Sequence, residues 1–385
     1  MEVIPSAAAA LLVALLAGCD CNSSPPPPVD RSTIDMSGHD AAQPDATSRD
    51  ALARDAASCA TPTPFSPPYP AVAWRHGIET PLVLALGPAN HRGQDVVAPV
   101  GSSPVLIGKF AYGTVDKDLK GEDVETFIQA APPCGPWVSL GVTVTSEEGQ
   151  YGTQYGIQDD GGRVFLKVPA TYTAAPGRYP VRMLVKGDLT VAKLALVVVA
   201  AGTTTAVFDI DGTLTTDDFQ LVSQLFSNLL AGTYVPKMYA DADKIVKTWA
   251  SKGYQIVYLT GRPDTLRGIT QGWLVDKGFP PGAVHLTDTA LQALPISAGV
   301  AAYKTDFLKR LSSEGKLSLH AAYGNAATDI EAYAAGGVPL ARTFIIGAQG
   351  GKQGTVAVTD YPTHLPAAAA MPAAATPAPP ALAGW

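Results

Sequence analysis

Asp209 and Asp211 are the residues whose types and spacing most directly suggest chemistry. They follow the apolar run Ala206–Phe208, and positions two apart in an extended strand point to the same side, so both carboxylates can face one bound group. Gly212 then lets the chain turn sharply away. Such a pair suits a phosphate ester, because one carboxylate can attack phosphorus while the other protonates the leaving oxygen and later deprotonates water. The repulsion between anionic nucleophile and anionic substrate calls for a hard divalent cation, for which Mg²⁺ fits best.

The elements that must position this pair alternate between strands and helices from Thr203 onwards. Five stretches are predicted as strands, with helical stretches between them: 204–210, 254–260, 283–286, 319–323 and 343–347. This alternation predicts an α/β domain with a doubly wound parallel, Rossmann-like sheet, whose ligands bind beyond the carboxyl ends of the strands. The stretches that follow the first two motifs are too short for a large cap domain, so we expect an open site.

The run Asp209–Leu214 resembles the first motif of the haloacid-dehalogenase superfamily of phosphatases. This resemblance implies that Asp209 is the nucleophile and Asp211 the general acid and base. Further positions of the superfamily then follow in its order. Thr260 ends a predicted strand and can hydrogen-bond the phosphoryl oxygens, and Lys304 is placed to neutralise charge in the transition state.

The resemblance also implies a set of metal ligands and a set of residues around the phosphate. The metal ligands would be Asp209, Asp211, Asn325 and Asp329, with Mg²⁺ as the cofactor. The residues around the substrate phosphate would be Gly212, Thr213, Gly261 and Arg262.

Each member of this constellation also has a common structural role. An Asp-x-Asp pair can form a strand-end turn or a Ca²⁺ site, Thr260 and Asp329 can cap helices, and Lys304 can be a surface lysine. Their occurrence in order, at successive strand ends of an α/β pattern, favours the phosphatase site.

The whole region from Thr203 to Thr355 resembles the catalytic domain of lipins, the Mg²⁺-dependent phosphatidate phosphatases. The resemblance rests on five runs: Asp209–Thr215, Tyr258–Pro263 with Ile269–Leu274 after it, Lys304–Leu308, Tyr323–Tyr333 and Thr343–Gly347. It implies phosphatidate or a related lipid phosphate as the substrate of a phosphomonoester hydrolase. Lipins usually have Ser where Thr260 stands, they are cytosolic, and no amphipathic membrane-binding helix begins this chain.

Two alternatives to the lipin interpretation remain open. The first is an envelope acid phosphatase of broad specificity that acts on soluble phosphomonoesters. The second is a non-catalytic module that binds lipid phosphates. Relatives of this second kind typically lose the aspartate pair, whereas Asp209 and Asp211 are both present here.

The region 71–201 is predicted to be all-β. Short runs rich in Val, Leu, Ile and Tyr are separated by Gly, Pro and Asp turn signals, and Tyr179 to Val185 shows the period of two that is typical of a strand with one face on a core. We expect an immunoglobulin-like sandwich, and lipins carry such a domain beside the catalytic one.

The N-terminal segment resembles a bacterial export signal. Residues 1–19 contain the short apolar run Ala7–Gly18 and end in Leu16–Cys19, which resembles a lipobox with Cys19 as the lipid-modified residue, although Glu2 stands where a signal usually has Lys or Arg. A lipoprotein of the bacterial cell envelope, held by its lipid anchor on the periplasmic or surface side of a membrane, is therefore expected.

Two further segments are predicted to be disordered. Residues 20–70 are rich in Pro, Asp and Ala with almost no large apolar residue, and residues 364–385 are rich in Ala and Pro. The phosphatase domain is accordingly predicted to span 202–363. Cys59 and Cys134 form a candidate disulfide that would leave Cys21 unpaired.

Charge and metal-binding patterns exclude other classes. The 385 residues carry a net charge of -7, which gives no basis for binding nucleic acid. The six His are scattered, and no Cys or His pair has the spacing of a zinc finger or zincin.

Overall fold

A computed structural model describes residues 62–216, 235–287, 297–380 and 385 of the chain. The predicted signal with Cys19, most of the predicted linker, and both Cys21 and Cys59 lie outside the described residues. None of the helices among the described residues is long and apolar enough to cross a membrane.

The first domain is a β-sandwich built from two sheets. The larger sheet has the strand order β2-β10-β9-β6-β7, antiparallel except for the parallel pair β2 and β10, and the smaller antiparallel sheet has the order β1-β3-β8. A separate hairpin pairs β4 with β5. The elements are α1 Glu79–Leu84, β1 Arg92–Gly93, β2 Val96–Pro99, β3 Val105–Lys109, β4 Ala111–Tyr112, β5 Lys117–Asp118, β6 Asp123–Gln129, β7 Trp137–Val144, β8 Arg163–Lys167, β9 Gly177–Val185 and β10 Val191–Val199.

Every second side chain along β9 and β10 points inward, and these side chains form part of the sandwich core. Val181 and Met183 of β9 are fully buried, and they join Leu196 of β10 in one apolar cluster with residues of the smaller sheet such as Leu106. The predicted period of two in this segment is thereby confirmed, and the all-β prediction is confirmed as a β-sandwich. The immunoglobulin-like assignment stays a prediction.

The end of the predicted linker is ordered against the sandwich. Phe65 packs against Trp137 with ring centroids 5.1 Å apart, and the Tyr69 hydroxyl donates a hydrogen bond to Glu125 Oε2 at 2.5 Å. The prediction of disorder as far as residue 70 is therefore corrected for residues 62–70, because these two aromatic side chains supply apolar surface that the average composition of the segment conceals. Cys134 is disulfide-bonded, and its pairing with Cys59 stays a prediction because Cys59 lies outside the described residues.

The second domain is an α/β domain with a parallel six-stranded sheet of order β13-β12-β11-β14-β15-β16. This confirms the predicted parallel α/β sheet, with β16 as a strand that the sequence analysis did not find. The elements are β11 Thr204–Phe208, α2 Ala242–Ser251, β12 Gln255–Pro263, α3 Arg267–Asp276, β13 Ala283–Thr287, α4 Ser297–Ser313, β14 Ser318–Gly324, α5 Ala327–Gly336, β15 Thr343–Ile346, β16 Val356–Val358 and α6 Tyr361–Ala370.

The strand order reverses direction between β11 and β14. From β11 the chain first adds β12 and β13 on one side and later adds β14, β15 and β16 on the other. Ligands of such sheets bind at the carboxyl ends of the strands beside this reversal. Asp209 follows β11 and Asn325 follows β14, so the fold brings these two residues to the expected place.

Residues 364–380 are ordered, which corrects the predicted disorder for this part of the segment 364–385. Helix α6 begins at Tyr361, where the Asp360 side chain accepts a hydrogen bond from Thr363 N at 2.8 Å, and it continues to Ala370. Beyond it, Ala374 N donates to Lys252 O at 2.9 Å. Composition alone concealed this packing, because alanine has high helix propensity and the few larger side chains suffice to cover the sheet.

The two domains share a buried junction. Ala195, Val197 and Val199 on the outer face of β10 join an apolar cluster that includes Val207 and Val257 of the α/β sheet. Hydrogen bonds cross the same junction, from Arg178 to Gly282 O and from Arg267 to Asp95.

Candidate functional site

Lys304 links the two best candidate carboxylates of the site. Its ammonium nitrogen, carried on α4, donates to Asp209 Oδ1 at 2.6 Å and to Asp329 Oδ1 at 2.7 Å. All three side chains are almost completely buried, with at most 3% of each residue exposed. The structure thus brings together the predicted nucleophile, the predicted charge-neutralising lysine and the predicted metal-binding carboxylate.

Burial governs the electrostatics of this cluster. It raises the pKa of Asp209, and the nearby charges of Asp329 and Asp211 act in the same direction, while Lys304 opposes them. The two carboxylates in turn raise the pKa of Lys304 against the opposing effect of burial. Two carboxylates and one ammonium leave one formal negative charge in a buried place, which favours an additional cation.

The backbone around the cluster fixes the carboxylates. Asp329 lies in the first turn of α5, and its Oδ2 accepts hydrogen bonds from Asn325 N and Ala326 N, both at 3.0 Å. The Thr213 hydroxyl donates to Asp209 Oδ2 at 2.9 Å. Both carboxylates therefore keep one oxygen on backbone or hydroxyl donors and present the other to Lys304.

Gly212 allows the turn after Asp211 to approach Asn325 closely. Its φ angle is +71°, a conformation that residues with a side chain adopt at a cost, and a Cβ atom at this position would collide with the Asn325 amide. Thr213 and Asn325 also lie within hydrogen-bonding distance, with 3.3 Å between Thr213 Oγ1 and Asn325 Oδ1. The predicted residues Gly212, Thr213 and Asn325 therefore form one wall of the site.

Asp211 has a different environment from the one the sequence analysis predicted. Arg262 binds its carboxylate in a bidentate manner, with Nη2 to Oδ1 at 2.6 Å and Nε to Oδ2 at 2.9 Å, and the Thr260 hydroxyl donates to Oδ2 at 3.0 Å. Arg262 also donates to Thr270 Oγ1 at 3.1 Å, and Gly261 lies between the two donors in β12. A buried carboxylate requires such partners. The predicted contact of Thr260 and Arg262 with substrate phosphate stays a prediction.

The positions of these oxygen donors show whether the site could hold the predicted Mg²⁺. Asp209, Asp329 and the Asn325 side-chain oxygen are the oxygen donors that suit Mg²⁺, which typically uses one or two carboxylates and takes further oxygens from phosphate and water. Within the described residues, however, no three Asp, Glu, His or Cys side chains converge closely enough to hold a metal. The donor set therefore fits a cation that two carboxylates and a bound phosphate share, with the Asp211 side chain directed to Arg262 instead.

A cavity of about 360 Å³ opens beside this cluster. Of its lining residues only Gly212 and Asn325 were predicted as site residues, and those missed include Tyr239, Ile346 and Gln349. Ile346 ends β15 and Gln349 lies in the turn after it, so the carboxyl-end position of that turn was the available signal. The cavity is large enough for part of a phosphate ester beyond its phosphoryl group.

The fold and the cluster define an α/β domain with a phosphatase-like centre behind a β-sandwich. Residues 206–347 match the sequence model described as the LNS2 domain of PITM 1-3, and residues 89–198 match that described as the beta-sandwich domain of PITM 1-3. LNS2 is a lipin-like domain related to the haloacid-dehalogenase superfamily, so the resemblance to lipins is confirmed at the level of this domain.

The curated relatives support the same two-domain assignment. Human membrane-associated phosphatidylinositol transfer protein 1 is 36% identical over 292 residues, which cover 76% of this chain and 21% of that protein. Protein retinal degeneration B of Drosophila melanogaster is 32% identical over 305 residues, covering 78% of this chain and 22% of its own length. The chain therefore spans about a fifth of the length of the curated relatives it matches.

Among solved structures, a cobalt-bound deoxy-D-mannose-octulosonate 8-phosphate phosphatase from Haemophilus influenzae is 17% identical, covers 38% of this chain and 69% of its own, and has a TM-score of 0.24. A similarity this low carries no argument about function.

The prediction of a bacterial cell-envelope lipoprotein is wrong. The curated relatives are eukaryotic, from human, rat, mouse and fly, and they are named membrane-associated phosphatidylinositol transfer proteins or Protein retinal degeneration B. The error arose because the prediction depended on a short apolar run and one cysteine, a pattern of low specificity. The match of nearly three hundred residues outweighs it.

Proposed function

We propose that the α/β domain is a module that recognises the phosphomonoester headgroup of an anionic membrane lipid, of the phosphatidate type, together with a divalent cation. Binding without efficient turnover is the function that the site geometry supports best. Hydrolysis of the same ester is the second candidate.

The hydrogen bonds that Asp211 accepts are the observation that carries this proposal. A phosphatase needs a general acid that holds a proton for the leaving oxygen. Asp211 instead accepts hydrogen bonds from both Thr260 and the Arg262 guanidinium, and it is only 6% exposed. Both oxygens of this carboxylate are engaged by these donors, so neither is free to face a leaving oxygen in this arrangement.

The rest of the site retains what recognition of a phosphate requires. Asp209, Asp329 and Asn325 would hold Mg²⁺, which would supply the positive charge that lets a phosphate dianion approach two carboxylates. Lys304 holds the two carboxylates in one geometry and offsets part of their charge. The adjoining cavity, with Tyr239 and Ile346 in its lining, would receive the part of the headgroup next to the phosphate.

The relatives also support a lipid ligand. They are named membrane-associated phosphatidylinositol transfer proteins, a name that couples them to a membrane and to a phospholipid. This agrees better with a binding module than with a soluble acid phosphatase, which was the other alternative raised by the sequence.

One observation favours hydrolysis as the second candidate. Asp209 is intact, and Thr213 and Lys304 orient its two oxygens as a nucleophile would require. For hydrolysis, Arg262 would have to move away from Asp211. The Asp211 carboxyl could then carry a proton and contact the leaving group, so turnover would depend on this movement of Arg262.

The experiment measures binding and turnover on the same samples. The purified full chain is sedimented with phosphatidylcholine vesicles with and without phosphatidate, in Mg²⁺ or in EDTA, while released phosphate is assayed. We expect phosphatidate-dependent and Mg²⁺-dependent sedimentation without phosphate release, lost in Asp329→Asn and kept in Asp306→Asn, a change of an exposed carboxylate on α4.

Two outcomes would decide against the proposal. Phosphate release that Asp209→Asn abolishes would establish hydrolysis, the second candidate. Sedimentation that is equal with and without phosphatidate, or equally strong in Asp329→Asn, would refute recognition of the phosphate by this site.

A further inference from the structure

A second cavity, of about 480 Å³, lies where the outer face of the sandwich meets helix α3 of the α/β domain. It shares no lining residue with the cavity beside Asp209. Most of its polar lining is cationic, with Arg92, Arg178, Arg182, Lys193 and Arg267. Asp276, an exposed residue at the end of α3, is the carboxylate in the lining of this cavity.

Strand pairing places three of these cations on one face of the larger sheet. Arg178 and Arg182 are four positions apart in β9 and so point to the same side, away from the sandwich core. Lys193 of β10 is the direct cross-strand partner of Arg182. Like charges in directly opposed positions of an antiparallel pair are destabilising, so packing of the sheet does not account for this arrangement.

Arg178, Arg182 and Lys193 differ from Arg267 because, in the part of the chain that the structure describes, no carboxylate pairs with them to balance their positive charge. Arg267 pairs with Asp95 at 2.6 Å, whereas within the described ranges no carboxylate oxygen lies within 4.0 Å of the charged nitrogens of Arg178, Arg182 or Lys193. Burial lowers the pKa of Arg178, with attraction from Asp95 and repulsion from Arg267 as smaller effects. Burial and then the charge of Arg178 lower the pKa of Arg182.

Aromatic rings and two backbone carbonyls hold the two guanidinium groups in place. Arg178 lies over the Trp385 ring at 5.9 Å and donates to Gly282 O at 3.1 Å. Arg182 lies over the Trp137 ring at 5.2 Å and donates through Nη1 to Val181 O at 2.8 Å. Cations positioned by stacking keep donors available for a planar or tetrahedral oxyanion.

We propose that this cleft is a binding site for a phosphate-bearing anion with at least two negative charges, contacted by Arg178, Arg182 and Lys193. Arginine donors match the geometry of phosphate oxygens, and the anion would offset the repulsion between the opposed Arg182 and Lys193. Such an anion is either a free phosphate compound or the headgroup of a lipid, and both share this chemistry. The site goes beyond the proposed function and is independent of Asp209.

The first test uses inorganic pyrophosphate as the probe. Calorimetric titration of the full chain is carried out in EDTA, so that binding which needs a divalent cation at the Asp209 centre does not contribute. We expect binding that rising salt weakens, and a loss of affinity of about tenfold in Lys193→Gln and in Arg182→Gln, because each removes one charge-assisted contact. The matched control is Lys309→Gln, an exposed lysine of α4 outside the cleft.

The second test distinguishes the two sources of the anion. Sedimentation in EDTA with phosphatidylcholine vesicles, with and without phosphatidate, is compared for the same variants and for Asp209→Asn. Vesicle binding that Lys193→Gln weakens and Asp209→Asn leaves unchanged assigns the cleft to a lipid headgroup, and pyrophosphate binding alone assigns it to a free phosphate compound.

The proposal is overturned if wild-type protein binds neither probe in EDTA, or if Lys309→Gln weakens binding as much as Lys193→Gln does. Because Lys193 is exposed, its replacement leaves the fold intact, and an unchanged thermal unfolding curve verifies this.

Discussion

Replacement of Lys304 by methionine tests the central electrostatic argument. The side chain is 1% exposed and holds Asp209 Oδ1 and Asp329 Oδ1 at 2.6 and 2.7 Å. Both oxygens therefore lie within about 5 Å of one another, where two unit charges repel by about 3 kcal/mol at an effective dielectric constant of ~20. Methionine has a similar length but no charge, so the variant retains the volume and removes the compensation.

We expect Lys304→Met to lower the free energy of unfolding by about 3–5 kcal/mol in EDTA, the range found when one partner of a buried ion pair is removed. The assay is urea unfolding followed by circular dichroism. Mg²⁺ should restore more stability to the variant than to the wild-type protein, because the two carboxylates are then free to bind it. Lys309→Met, on the same helix but exposed, is the matched control and should change stability by less than about 0.5 kcal/mol.

A loss of less than about 1 kcal/mol in Lys304→Met would refute the reasoning, since the buried carboxylates would then not depend on the lysine. The same holds if Mg²⁺ stabilises both proteins equally. A double variant with Asp329→Asn should recover part of the lost stability, because one of the two repelling charges is gone.

Three further predictions concern other parts of the chain. Burial lowers the pKa of His91 from its usual value near 6.5 to about 4, so protonation favours the unfolded chain. The wild-type protein should therefore lose up to about 3 kcal/mol of stability through this residue as pH falls from 6.5 to 4, and His91→Gln should not show this loss. Gly212→Ala should cost about 1–2 kcal/mol through its positive φ angle and should also weaken Mg²⁺-dependent vesicle sedimentation, because the added methyl group displaces Asn325. Asp95→Asn should cost about 3–5 kcal/mol in urea unfolding, since it leaves Arg267 buried without its partner.

Each of these predictions has its own contrary result. Identical slopes of stability against pH for wild type and His91→Gln would show that the histidine does not titrate as stated. Unchanged sedimentation of Gly212→Ala would separate this glycine from the site. For Asp95→Asn the matched control is Asp123→Asn, whose partner Arg75 is half exposed, and equal losses in the two variants would contradict the special role of burial.

The sequence predicted the site best where residue type and strand position act together. Asp209, Lys304 and Asp329 were found because they occur in the order of the haloacid-dehalogenase motifs, at successive strand ends of an α/β pattern. The parallel sheet was predicted because strand-like and helix-like hydrophobic periods alternate along the sequence, and this pattern can be recognised without knowledge of tertiary contacts.

The partner of Asp211 could not be found in the same way. Thr260 and Arg262 were predicted to contact phosphate, and which of two buried anions an arginine binds depends on side-chain directions that spacing does not encode. One signal was available, because β12 is buried at all nine positions and an arginine inside such a strand requires hydrogen-bond acceptors within the protein.

Composition misled the prediction at both ends of the folded region. Phe65 and Tyr69 order a segment that is otherwise rich in proline, and the alanine-rich end forms α6 and then packs along the sheet. A count of residue types over fifty positions averages out the two or three side chains that make the contacts.

The position of Asp95 has a consequence for the order in which the chain folds. Its carboxylate accepts hydrogen bonds from Ala195 N, from Arg267 and from Val284 N, which lie 100, 172 and 189 residues later in the sequence. During synthesis from the N-terminus, this buried carboxylate therefore gains its last two partners only after about half of the second domain has been made. Completion of the sandwich around Asp95 is thus coupled to the formation of α3 and β13, and a chain that ends before Arg267 would leave Asp95 with Ala195 N alone among these three donors.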